Sequence, residues 1–147
     1  MADKREEILQ RLLAIYQGID GIVTAVRNED EISDSKRPAI QLLDADETAD
    51  DNDPEGRPSN APRRVGMSPE TYILLGARAA DIGTEINAMR AKVINAVHTD
   101  EELKALVLDR NGIRYLGCTT ALGHGRTMEA AFGLFFRFNY VMRPGEL

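Results

Sequence analysis

The stretch whose reading decides the fold runs from Ala130 to Arg143: Ala-Ala-Phe-Gly-Leu-Phe-Phe-Arg-Phe-Asn-Tyr-Val-Met-Arg. At a period of two, one face carries Phe132, Leu134, Phe136, Phe138, Tyr140 and Met142. The other carries Ala131, Gly133, Phe135, Arg137, Asn139, Val141 and Arg143. Successive strand side chains point to opposite sides of a sheet, so the pattern predicts one long half-buried strand with a greasy side and a mixed side. All four phenylalanines of the protein lie in it. At about 3.3 Å per residue it reaches roughly 40 Å, against ~17–20 Å for a usual strand. Such a strand either crosses a whole domain or projects to meet something else.

Outward from that strand, the 147 residues fit one domain, which at this size buries roughly 70% of its unfolded surface. One cysteine, Cys118, leaves no internal disulfide and fits a reducing compartment. The first residues lack the apolar run of a signal peptide, and no stretch approaches the ~18 apolar residues of a membrane span. The expectation is a soluble, intracellular protein.

The net charge of −6 is unevenly placed. From Glu29 to Glu55 there are eleven acids against Lys36 and Arg37, a segment charge of −9 that leaves +3 for the rest. Opposed patches suit a molecule that meets different partners, or copies of itself, on different faces. They do not suit a free nucleic-acid binder, which shows a clustered basic face.

Taken in order, Asp3 to Gln17 reads as an amphipathic helix with Ile8, Leu9, Leu12, Leu13 and Tyr16 on one stripe, ended by Gly18 and Gly21. Ile22–Arg27 and Pro38–Asp44 read as two strands, expected to pair antiparallel across a polar loop. Ala45–Arg64 has no core pattern and reads as a long exposed acidic loop. Val65–Leu75 carries a helix-cap signal at Ser68-Pro69-Glu70, but Tyr72-Ile73-Leu74-Leu75 favours a strand. Gly83-Thr84 opens a helix over Glu85–Val97, with Ile86, Met89, Val93 and Val97 inward. Thr99 reads as the N-cap of a short second helix, with Glu102 completing a capping box. Ile113–Leu122 is a strand, turned at Gly123-His124-Gly125 into the closing one. The predicted class is α+β: a mainly antiparallel sheet with the helices packed on one face, in a single domain.

Chemistry-bearing patterns are weak. Asp51-x-Asp53-x-Glu55-Gly56 imitates the start of a calcium loop, but its twelfth position is Pro62 rather than glutamate. Cys118 and His124 lack a third member, and the two histidines lack zinc-site spacing. Gly123-His124-Gly125-Arg126-Thr127 has no phosphate-loop lysine. No catalytic, metal or cofactor residue is expected. Arginine interleaved with aromatics is what interface centres favour, which makes Phe135, Arg137, Arg143 and Arg126 candidates for a subunit contact.

With those residues set out, the chain resembles the tail terminator (tail completion) proteins of long-tailed bacteriophages. The resemblance rests on order and spacing: Ile22–Arg27, then Arg37-Pro38-Ala39-Ile40 and a downstream Leu-Asp-x-Asp-Glu. Met67-Ser-Pro-Glu-x-Tyr-Ile-Leu-Leu-Gly76 and Gly83-Thr-Glu-x-Asn-x-x-Arg90 follow. Ile113-Arg-Tyr-x-Gly-Cys118, Gly125-Arg-x-Met-Glu129 and Phe138-x-Tyr-x-x-Arg143-Pro close it. It implies a ring, commonly of six copies, that caps the tail tube, stops its polymerisation and offers the surface joined by the head connector. Genome DNA passes through the lumen unbound, and the protein ends in the virion after assembly in the host cytoplasm. An acidic lumen would repel phosphate; Asp44, Asp46, Glu47, Asp50, Asp51 and Asp53 are the candidates to line it or to meet a partner. Two other readings stay open: another head–tail connector or neck protein, and a small enzyme or divalent-cation-binding domain using Asp44 to Glu55.

Overall fold

A computed structural model describes residues 3–29, 32–50, 56–76, 80–122 and 130–147. Helix α1 (Lys4–Gln17) begins at Asp3, whose carboxylate caps Arg5 N at 3.1 Å, and ends at Gly18. Strands β1 (Thr24–Arg27), β2 (Ala39–Leu43), β3 (Glu47–Ala49), β4 (Arg63–Met67) and β5 (Glu70–Leu75) follow. Then come α2 (Ile82–Thr99), α3 (Glu101–Leu106), β6 (Ile113–Leu122) and β7 (Ala130–Met142). The class is α+β, with a mixed, mostly antiparallel sheet and, among the described residues, three α-helices.

Strand β7 is the spine. β4 pairs with its C-terminal half, from Arg63↔Met142 to Met67↔Phe138, and β5 with its N-terminal half, from Glu70↔Phe135 to Leu75↔Ala130. The two registers are continuous, so β4 and β5 are one strand along one edge of β7, interrupted only at Ser68-Pro69. Proline has no N–H to give a ladder, which explains the break. β6 runs antiparallel along the other edge. On the far side, β2 pairs with β5 and β3 with β4. Between them Asp44-Ala45-Asp46 faces Ser68-Pro69, three residues against two, and Ala45 sits at φ 54°. That is a bulge: one extra residue that flips the side-chain alternation beyond it.

The greasy side of β7 is the core. Phe132, Leu134, Phe136, Phe138 and Tyr140 are each at most 1% exposed, and they pack with Ile8, Leu12, Tyr16, Val93 and Val97 of the helices. Burying each side chain of this size contributes about 1.5–3 kcal/mol, so β7 carries the largest single share of the core. Tyr16 and Thr71 join hydroxyls inside it at 2.8 Å, which satisfies both polar groups where water is excluded.

Four expectations need correction. β1 and β2 pair parallel, Thr24↔Ala39 to Arg27↔Leu42, not antiparallel. The connection carries a short 3-10 turn at Asp34–Lys36 and returns the chain in the same direction. Parallel pairing brings the C-terminal ends of both strands together, and there Arg27 clamps Asp44 (2.7 and 2.8 Å) and Glu6 (2.7 and 2.9 Å). An antiparallel pair would have placed Arg27 at the other end of β2, away from both carboxylates. The supposed loop 45–64 contains β3 and the start of β4. Helix α2 starts at Ile82, a turn earlier than read, with Asp81 as a cap that makes no side-chain bond. The cap of α3 is Asp100, accepting from Leu103 N at 2.9 Å, while Thr99 closes α2 by donating to Asn95 O at 2.7 Å. Asp100 also holds both arms of Arg11 (2.8 and 2.6 Å), tying α1 to the α2–α3 corner.

Candidate interface on the uncovered sheet face

The side of the sheet away from the helices takes the alternate residues: Tyr72 and Leu74 of β5, Phe135, Arg137, Asn139 and Val141 of β7, all half-buried. Phe135 meets Tyr72 edge-on at 6.3 Å and lies over Gly133, where a Cβ would come within 3.0 Å of its ring. Arg137 lies over Gly66, where a Cβ would come within 2.2 Å of the guanidinium. Its Nε donates to Asn139 Oδ1 (3.1 Å) and its Nη1 to Thr48 Oγ1 (3.3 Å). Two glycines therefore let two large side chains lie flat, and the face is a low platform rather than a brush of side chains.

Both edges of the platform are delivered by bulges. The β6–β7 register slips by one residue between Tyr115 and Gly117, with Leu116 as the extra residue, half exposed. Without the slip Arg114 would stand opposite Phe138 on the core side; with it, Arg114 stands opposite Arg137 on the open side. In the same way the bulge at Ala45 turns Thr48 to the open side and Glu47 to the core side, where Tyr140 donates its hydroxyl to Glu47. Burial and that carboxylate both push the Tyr140 phenol far above its usual range. Asn139 is fixed by donating to Asn111 O (2.7 Å). Thr48, Ala49, Asp50, Asn111, Arg114, Arg137 and Asn139 line one shallow depression.

The expected residues are thus split. Phe135 and Arg137 share the platform. Arg143 lies beyond the end of β7, exposed, in a depression with Lys4 and Glu7 of α1. Of the acids, Asp44 is held by Arg27, whose guanidinium lowers the Asp44 pKa, and Glu47 is held by Tyr140. Asp46 is exposed, and Asp50 lies at the rim of the depression. Arg126, His124, Asp51, Asp53 and Glu55 fall outside the described residues. Cys118 is opposite Leu134 and packs on the core as a small apolar residue.

No protein-family model and no curated protein matches the chain. Among the described residues no group of three or more His, Cys, Asp or Glu is placed to hold a metal ion. No described helix is long and apolar enough to cross a membrane. Sequence reasoning placed Asn139 on the mixed side of β7, as found, and missed Arg114, Thr48 and Gly66 as members of the platform. The bulges set the first two, and a bulge leaves no mark in a pattern of alternating residues.

Proposed function

We propose that this chain is a tail terminator: a ring-forming structural protein that caps the tail tube of a long-tailed phage and receives the head connector. The observation that carries the reading is the flat platform around Phe135 and Arg137. A sheet side that is half apolar, studded with arginine and uncovered by helices is the kind of surface that meets a neighbour. Rings are built from heterologous contacts, in which one patch of each copy meets a different patch of the next. The opposed charges of the chain suit that arrangement. Six copies, contacts with tube protein and connector, and passage of genome DNA without binding follow from the resemblance. With Asp44 and Glu47 engaged inside the subunit, Asp46 is the exposed one of the candidate acids among the described residues, left to face a lumen or a partner.

The test is genetic and visual. In a phage carrying this gene, its deletion gives overlong or headless tails under the electron microscope, and purified protein decorates tube ends. Tails of normal length joined to heads in the deletion strain would rule the reading out.

A further inference from the structure

Arg114 and Arg137 stand directly opposite each other on neighbouring strands. Like charges in that relation cost stability unless something offsets them. Nothing in the described residues does so. Arg137 has only the neutral oxygens of Asn139 and Thr48, and Arg114 makes no hydrogen bond or ion pair. The one acid on the depression they line is Asp50, at its rim and engaged in an interaction of its own. Arg137 is held flat over Gly66, with Nη2 against the glycine, by bonds to Asn139 and Thr48, so its orientation is fixed in advance. Arg114 and Arg137 line the same shallow depression, so a carboxylate that enters it meets guanidinium groups from two strands.

We propose that Arg114 and Arg137 together seat a carboxylate from the acidic segment of a second copy of this chain. The inference deepens the ring reading and rests on it. Charge complementarity names the occupant: residues 29 to 55 carry −9, and the rest of the chain is +3. Asp46 represents that segment on the described surface, exposed and without an ion partner. The seat is on the open side of β6 and β7 and Asp46 lies in the β2–β3 connection; Asp46 of one copy meeting the seat of the next is a heterologous contact, the kind from which rings are built.

The experiment is native mass and sedimentation over a concentration series for the wild type, Arg114→Glu and Arg114→Lys. Arg114 has no partner among the described residues and faces Arg137, so Arg114→Glu relieves a like-charge pair and does not lower the thermal unfolding temperature; Arg137→Gln serves as the second variant. The expected result is that Arg114→Glu raises the concentration needed for assembly by about tenfold or more. Arg114→Lys keeps part of the assembly, and raising salt weakens the wild type. Wild-type assembly matched by Arg114→Glu and Arg137→Gln would overturn the seat and leave the ring reading standing. A wild type that stays monomeric throughout would overturn both. Inorganic phosphate that binds wild type but not Arg114→Glu, with assembly unchanged, would make the depression a small-anion site and also overturn the proposal.

Discussion

The guanidinium of Arg137 occupies the volume that a Cβ on Gly66 would fill, with Nη2 at 2.2 Å from that position. Gly66 is opposite Asn139, two residues from Arg137 along β7, so the glycine makes room for a diagonal neighbour. Gly66→Ala displaces the end of a flexible side chain and no backbone. The lost bonds to Asn139 and Thr48 are each worth about 0.5–1 kcal/mol. Restricting the unfolded chain returns about 0.4–1 kcal/mol. Denaturant unfolding of Gly66→Ala is therefore expected to show a net loss of about 0–1.6 kcal/mol, while its assembly weakens because Arg137 has lost its seat. A variant that assembles as wild type does would show that the flat arginine has no part in the contact.

Thr71 is the one polar residue among the buried described residues, and Tyr16 is its partner. Tyr16→Phe strands the threonine hydroxyl in the core, and Thr71→Val strands the phenol. Each is expected to cost about 1–2 kcal/mol in urea unfolding. The double variant removes both groups and costs little more than either alone. Costs that simply add would mean that the two hydroxyls do not rely on each other.

Acid stability depends on two arginine clamps. Hydrogen bonds from Arg27 lower the pKa values of Asp44 and Glu6, and those from Arg11 lower that of Asp100. A carboxylate with a depressed folded pKa contributes stability that is fully present above its unfolded value of about 4 and fades as pH falls through the folded value. Stability should therefore hold near neutrality and decline below about pH 4. Glu6 is 42% exposed in its side chain and contributes less than Asp44. Arg27→Gln removes the leading cause of two of the three shifts, so its stability is lower at pH 7 and falls less steeply in acid. An acid slope unchanged in Arg27→Gln would refute the clamp.

Residues that repeat were legible and residues that break the repeat were not. The face of β7 from Phe132 to Tyr140 is the core side as read, and β6 spans Ile113–Leu122 as read. The strand at Tyr72–Leu75 was legible because an aromatic and aliphatic run between Gly66 and Gly76 outweighs a helix cap. What local pattern does not encode is direction and count. Nothing in Ile22–Arg27 or Pro38–Asp44 states whether the connection between them reverses the chain, and Arg27 reveals it only once its carboxylates are located. Nor do Leu116 and Ala45 differ in type from their neighbours, although each turns the following residues over. The candidate arginine on β7 was legible from its spacing, and its companion Arg114 was not.

The central strand of this sheet follows in chain order every strand that it pairs with. Arg63 finds Met142, and Leu75 finds Ala130, only after everything between has been made. On a ribosome, β4 and β5 wait with one edge bare and the helices wait without Phe132, Leu134, Phe136, Phe138 and Tyr140. Long-range pairing of this kind folds slowly and leaves sticky intermediates. Folding of this chain thus waits on β7, and nonsense or frameshift changes that remove β7 should give insoluble chains rather than shortened folded ones.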